Sequence, residues 1–238
     1  MPSRFMFRQV YAGDLGIFLR DGEIRAKNHA SPQACHQTSY PEIVNRRGTA
    51  EFPMPCGGVV NDYVPFYFSP ITAFTYTIHT EKNVKLRSPT GQDLGFALDI
   101  DRIFFVCRVD DMRSGELNFC FSNSALNSLA TLPSIEVDLD KLESHICWRL
   151  FDDVPTKAKI AEIGYDGVCR YFHNSDQNPD WHSRKQVRMA EFLVRGTLPL
   201  SKVCCIVAKT DEVRDRLQRI MDASDWNIPI LSKPGCYF

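Results

Sequence analysis

With 238 residues, 44% of them hydrophobic, the chain is long enough to bury a substantial core, and no linker, low-complexity block or repeat divides it, so one domain over residues 1–238 is expected. Twenty-eight Lys and Arg against 29 Asp and Glu leave a formal net charge of -1, which argues against a tight, sequence-blind nucleic-acid coat protein but leaves room for a local basic cleft. No run approaches membrane-spanning length, no signal-peptide pattern opens the chain, and the nine cysteines show no CxxC pair, so the reading is a reducing cytoplasm with no membrane.

Phe5 to Val10 reads as a strand and Ala12 to Asp21 as a helix, with Leu15, Ile17, Phe18 and Leu19 on its apolar side and Gly22 suited to its end. Residues 28–56 carry Ser31-Pro32, Tyr40-Pro41, Arg47-Gly48, Pro53 and Pro55 without periodicity. A long loop with at most short helical pieces is expected there, and such loops inside compact domains are usually lids or binding loops. Val59 to Phe68 predicts an aromatic strand ended by Ser69-Pro70, and Ile71 to His79 a helix or a second strand. Phe96 to Ile100, Arg102 to Val109 and Leu117 to Phe121 have strand composition, with Asp110-Asp111 and Arg113 to Gly115 as turn signals. Ser124 to Leu132 and Lys157 to Ile163 are expected helices. In the last third, Ala190 to Val194, Lys202 to Ala208 and Asn227 to Leu231 read as strands. Thr210 caps a helix with Asp211 and Glu212 in its positive first turn and Val213, Leu217, Ile220 and Met221 on its buried stripe. The sum is an α+β fold with a split, mostly antiparallel sheet and flanking helices.

Trp181-His-Ser-Arg-Lys-Gln-Val-Arg-Met-Ala-Glu-Phe-Leu-Val194 drives a charged cluster into an apolar run at one carboxylate, Glu191. A carboxylate among residues that seek burial is either paired or functional. On the first reading Glu191 sits on the wet face of a half-buried strand and pairs with Arg188 or Arg195; on the second it does chemistry. Trp181, Arg184, Lys185 and Arg188 form a basic and aromatic cluster suited to phosphates and an unstacked base, or else a solvated charge run. Other chemistries find little support. Gly57-Gly58 is only a doublet, not a phosphate loop, and the histidines at 29, 36, 79, 145, 173 and 182 lack metal-ligand spacing, so no metal is expected. No local signature singles out a cysteine nucleophile, and no second acid can be placed beside Glu191 for glycosidase chemistry.

Asn61-Asp-Tyr-Val-Pro-Phe-Tyr-Phe-Ser-Pro70, read with Arg46-Arg47 upstream and Arg188 to Val194 downstream, resembles the DarT family of bacterial toxin DNA ADP-ribosyltransferases. The likeness runs in order through Tyr11 to Gly22, Pro41 to Arg47, Pro53 to Gly58, Phe121-Ser-Asn-Ser-Ala125, Tyr171 to Val194 and Gly235-Cys-Tyr-Phe238. The resemblance implies an ADP-ribosyltransferase-like fold and an NAD-dependent mono-ADP-ribosyltransferase that modifies a base of single-stranded DNA, thymine being favoured and guanine the alternative. It implies further a toxin of a toxin-antitoxin or anti-phage system, with a cognate antitoxin that commonly carries an ADP-ribose-removing macrodomain. The family's arginine and glutamate match Arg47 and Glu191, the catalytic candidates. A carboxylate can stabilise positive character at the anomeric carbon and take the acceptor's proton, while Arg47 orients the base or the cofactor's phosphates through forked hydrogen bonds.

Tyr11, Asp14, Arg47, Tyr63 and Tyr67 are the cofactor-binding candidates, Tyr63 and Tyr67 being the members of the aromatic block with a polar handle. Arg46, Trp181, Arg184, Lys185 and Arg188 are the nucleic-acid candidates. The chain departs from the pattern where many relatives have His at the position of Tyr11, Asn at that of Asp14 and His at that of Asn61, and residues 132–169 align poorly. Two alternatives stay open: an NAD-dependent transferase acting on RNA or protein, and a non-catalytic nucleic-acid or nucleotide-binding module in which Glu191 is merely paired.

Overall fold

The computed structural model describes residues 3–80, 84–114, 117–127 and 133–238. Eight strands form one sheet: β1 (Phe5–Tyr11), β2 (Tyr63–Tyr67), β3 (Arg102–Arg108), β4 (Phe119–Ser122), β5 (Ile135–Glu136), β6 (Glu191–Arg195), β7 (Val203–Ala208) and β8 (Ile230–Ser232). Their order is β8-β7-β3-β1-β2-β6-β4-β5, antiparallel throughout except for the parallel pair β7 and β8. The sheet is split. β1 pairs with β3 along its whole length, yet meets β2 in register only at Phe7 opposite Tyr67, so a cleft opens between two half-sheets hinged at that pair.

The interior strands show why period-2 alternation is faint in this sequence. β3, Arg-Ile-Phe-Phe-Val-Cys-Arg, is buried at every residue but the last, because elements cover both of its faces. The helices α1 (Leu15–Asp21), α2 (Pro41–Arg47), α3 (Ala73–His79) and α4 (Asp211–Asp222) flank the sheet. Gly22 ends α1 at φ 71°, a left-handed position that a glycine takes without strain. Thr72 caps α3 through a reciprocal pair with Thr75, which decides the helix over the strand for 71–79. α4 begins as expected: the Thr210 side chain accepts from the Val213 N–H, and Val213, Leu217 and Met221 are buried. It forms the crossover between β7 and β8 and packs on α1 and β8.

Several expectations change. Phe96 to Ile100 is not a strand: Asp93–Phe96 closes a three-stranded sheet with Gln37–Thr38 and Lys85–Arg87, and a 3-10 turn follows at Asp99–Asp101. Leu94, Phe96, Leu98 and Ile100 stay exposed, so apolar content there signals surface rather than core. Lys157 to Ile163 is not a helix, since Ala158 sits at φ 68° and a short Thr156–Lys157 strand and a 3-10 turn at Ala161–Ile163 divide it. Ser124 to Asn127 are non-helical, and the rest of that expected helix, together with Gly115 of the turn signal, lies outside the described residues. A 3-10 turn at Val60–Asp62 precedes β2, which shortens the aromatic strand. Within 28–56 the loop holds, as expected, a short helical piece, α2, together with the Gln37–Thr38 strand, and α2 carries Arg47. Among the described residues no helix is long and apolar enough to cross a membrane.

Replacing Thr210 by Ala should lower stability by about 1 kcal/mol in urea unfolding, the usual worth of an N-cap. A loss within error of zero would show that α4 does not depend on this cap.

Candidate active site

Glu191 is the first residue of β6 and lies directly opposite Tyr67 of β2, on the half-sheet facing the cleft. Its side chain is 2% exposed. The backbone holds it from both sides: its N–H donates to Ser122 Oγ at 3.1 Å, and Ser122 Oγ donates to the Ser124 carbonyl at 2.7 Å. The carboxylate is met by Arg47, 144 residues earlier, through a two-pronged pair: Nη1 donates to Oε1 at 2.9 Å and Nη2 to Oε2 at 2.7 Å. The Leu126 N–H adds a longer contact to Oε1 at 3.4 Å. Burial opposes charge on Arg47, but the facing carboxylate outweighs it and holds the guanidinium above its ordinary value. The partner of Glu191 is therefore neither Arg188 nor Arg195, the neighbours favoured by sequence proximity.

Arg47 reaches this position because α2 ends on it. Pro41 fills the first turn, where a missing N–H costs nothing, and Gly48 follows the last residue. Asn61 Nδ2 donates to the Val44 carbonyl at 2.9 Å and ties α2 to the turn before β2. That is a role for Asn61 which no sequence signal assigned.

The pair opens onto a cavity of about 700 Å³ in the cleft, whose walls include Arg8, Asp14, Arg47, Tyr67, Arg102 and Glu191. The phenol of Tyr67 is raised well above its ordinary value, first by burial and then by the Glu191 carboxylate, so it stays a neutral donor. Tyr63 also lines the cavity, but its hydroxyl is committed to the Gly57 carbonyl at 2.7 Å and its ring to a small core with Phe52, Met54 and Leu193. Burial pushes that phenol up to about 12.

Asp14 is 1% exposed and does not present a free carboxylate. Its Oδ2 accepts the His36 N–H at 2.8 Å and its Oδ1 contacts His36 Nδ1 at 2.7 Å, while the Tyr11 ring packs against the His36 ring at 4.7 Å between centroids. Asp14 and Tyr11 thus hold His36 on the cavity wall, which Asp14 also lines. Spacing gave no hint of this histidine. Several polar atoms on the cavity wall are buried without a hydrogen-bond partner: Arg8 Nε, Gln9 Oε1, Thr38 Oγ1, Arg102 Nε and Nη1, and Asn127 Oδ1. Buried polar groups are normally paired, so this concentration marks a wall shaped for a polar ligand. Arg8 and Arg102 were missed because an arginine inside an apolar strand reads as an interruption rather than a site.

The nucleic-acid candidates divide. Arg46 is exposed beside Arg47 and donates to the Asn127 carbonyl at 2.8 Å. Lys185 is exposed and Trp181 half-buried. Arg184 is buried, paired with Asp153 at 2.8 Å and stacked over Trp181 at 4.4 Å. Arg188 is fully buried and donates to the carbonyls of Leu150, Cys169, Tyr171 and Ile71 and to Ser69 Oγ, so it staples four segments of chain and cannot reach a phosphate at the surface. The expected basic cluster is corrected accordingly: of its arginines, both are internal, and none of Trp181, Arg184, Lys185 and Arg188 lines the cavity. Among the described residues no group of three or more His, Cys, Asp or Glu could hold a metal.

A split sheet with a buried carboxylate and an arginine facing a polar cleft defines a protein built to hold a ligand against one carboxylate, the arrangement of an ADP-ribosyl-transferring enzyme. Residues 13–238 match the family described as ssDNA thymidine ADP-ribosyltransferase, DarT, and the chain belongs to the DarT family of DNA ADP-ribosyltransferases. It is 42% identical over 75 residues to a DNA ADP-ribosyl transferase of Thermus sp. (strain 2.9), 32% of this chain and 35% of that protein. To the DNA ADP-ribosyl transferase of Escherichia coli O127:H6 it is 22% identical over 198 residues, 83% of this chain and 77% of that protein. The solved structure of Thermus sp. 2.9 DarT in complex with ADP-ribosylated ssDNA superposes with a TM-score of 0.76 at 19% identity, covering 99% of this chain and 96% of that one. Thermus sp. 2.9 DarT in complex with NAD+ superposes with a TM-score of 0.71 at 19% identity, covering 99% and 98%. At this identity the likeness speaks for the fold.

Arg188→Met would leave four carbonyls and a hydroxyl without their donor, and should lower the free energy of unfolding by more than about 2 kcal/mol. If instead the variant keeps parental stability and loses DNA binding, Arg188 belongs to the interface after all.

Proposed function

We propose that residues 1–238 act as one domain that uses NAD as ADP-ribosyl donor and a base of single-stranded DNA as acceptor, thymine before guanine. The observation that carries this reading is the buried Arg47–Glu191 pair opening onto a cavity whose wall holds unpartnered polar atoms. Family membership and the DNA- and NAD-bound Thermus structures support it.

NAD supplies a ribose carbon that gains positive character as its bond to nicotinamide breaks. Glu191 then has two tasks for which one buried carboxylate suffices. It stabilises that charge at short range, where low polarity strengthens the interaction. It also takes the proton that the ring nitrogen of the base must lose as the new nitrogen–carbon bond forms, while nicotinamide departs neutral. Tyr67, opposite Glu191 and held neutral, is a donor to whatever occupies the cleft. Both carboxylate oxygens are engaged by Arg47, so a substrate that uses Glu191 must exchange for part of this pair. Arg47 turned from Glu191 presents its fork to the base.

The physiological reading is that of a toxin in a toxin-antitoxin or anti-phage system, restrained by a partner that removes ADP-ribose through a macrodomain. It rests on family resemblance.

The test is labelled NAD with four single-stranded oligonucleotides, each lacking one base, and RNA of matching sequence. Label on every DNA except the one without thymine, and none on RNA, is expected. Folded Glu191→Gln and Arg47→Ala should each lose at least about 100-fold in rate. Loss only without guanine would change the acceptor; Glu191-independent label, or none on any nucleic acid, would overturn the proposal.

A further inference from the structure

Three arginines, Arg8, Arg47 and Arg102, line the same cavity, and among the described residues a carboxylate is hydrogen-bonded to only one of them, Arg47. Arg102 opens β3 and is 4% exposed. Its Nε and Nη1 have no hydrogen-bond partner among the described residues, and the nearby Asp14, whose charge favours this guanidinium, directs its hydrogen bonds to His36 instead. Arg8 reaches across the cleft from β1, where Nη1 donates to the Pro65 carbonyl at 3.0 Å while its Nε stays unpartnered. The contrast with Arg47 is physical. Burial pulls both Arg8 and Arg102 down to about 10, whereas Glu191 more than reverses that effect for Arg47. Arg102 also feels Arg8 as a like charge.

Among the charged side chains on the wall, Arg8, Arg25, Lys27, Arg47 and Arg102 face only Asp14 and Glu191. Arg25 is answered by Glu23 at 2.7 Å and Arg47 by Glu191. Arg8 and Arg102 remain as forked donors with free N–H groups in a site of low polarity. Arginines that line a cavity with N–H groups left unbonded are costly, and guanidinium forks are matched in geometry by phosphate oxygens.

We propose that Arg8 and Arg102 form a diphosphate seat, a subsite separate from the Arg47–Glu191 pair, which grips the middle of the donor and leaves Arg47 to act at the reacting end. This rests on the reading of the cavity as the NAD site, but its anion-binding core does not. Sodium pyrophosphate and ADP-ribose are therefore the probes.

The seat has a signature that a structural arginine would lack. Replacing Arg102 by Met removes a buried cation with two unbonded N–H-bearing nitrogens, so the thermal midpoint of the ligand-free protein should stay level or rise. The same change should abolish the upward shift that pyrophosphate gives the parent, and should weaken ADP-ribose about 10- to 100-fold by calorimetry. Arg8→Met should behave likewise, with a smaller loss because one of its donors is already used. Glu191→Gln should retain pyrophosphate binding, at least as tight as in the parent.

A parent that binds neither probe, or an Arg102→Met protein that binds both as tightly as the parent, overturns the seat. So does Arg102→Met failing to fold, since the arginine would then be structural; Arg8→Met, and Arg102→Lys with its charge kept and its fork lost, then show whether any anion site survives. Arg102-dependent pyrophosphate binding without binding of NAD would leave the seat standing and remove the NAD reading.

Discussion

A carboxylate at the head of an interior strand must be answered, and much of this molecule is arranged around the answer given to Glu191. Its partner comes from 144 residues away, so the long segment 28–56 cannot be a free lid: it must fold a helix that ends at Arg47 and lay it over the cleft. Pro41 starts that helix and Asn61 ties it to the turn before β2. The two-pronged geometry holds both partners in place, and it also makes the pair something that a substrate must displace. A buried ion pair adds little net stability because desolvation offsets attraction. Its worth here is positional, placing two reactive groups within hydrogen-bond distance at the floor of a cavity.

The split sheet supplies the room. Because β1 and β2 meet only at Phe7 and Tyr67, the backbone edges beyond that point diverge, and side chains from both halves converge on the gap. One half contributes Glu191 and Tyr67, the other Arg8 and Arg102. The same opening explains why unpartnered polar atoms collect there. A wall preorganised for a polar ligand keeps donors that its own fold does not satisfy, and stability is given up for that. Arg188, whose two terminal nitrogens are stapled to five acceptors on the core side, is the opposite use of the same residue type.

Much of the fold was legible where local chemistry and burial agree. β1, β3, β6, β7 and the Thr210-capped α4 follow from apolar runs, a cap and an acidic first turn. Legibility failed where a local pattern has two outcomes. Phe96 to Ile100 is as apolar as a core strand, yet Phe96, Leu98 and Ile100 stay exposed and only Ala97 is buried, and Ala158 at positive φ breaks a segment whose composition suits a helix. Within the site, Glu191 stood out by its setting, and Arg47 was named through resemblance, since nothing local marks it. Arg184 and Arg188 were misplaced because a charge run looks the same whether it faces solvent or carbonyls. His36 and Asn61 were out of reach, because their roles depend on contacts between elements distant in sequence.

If Arg47 and Glu191 hold one another until a substrate exchanges for the pair, calorimetric titration of NAD into the parent and Glu191→Gln proteins will show it. The glutamine variant, with Arg47 released and the carboxamide still able to accept from a ribose hydroxyl, should bind NAD at least as tightly as the parent while transferring at least about 100-fold more slowly. A folded Glu191→Gln protein whose NAD affinity falls in step with its activity would contradict it.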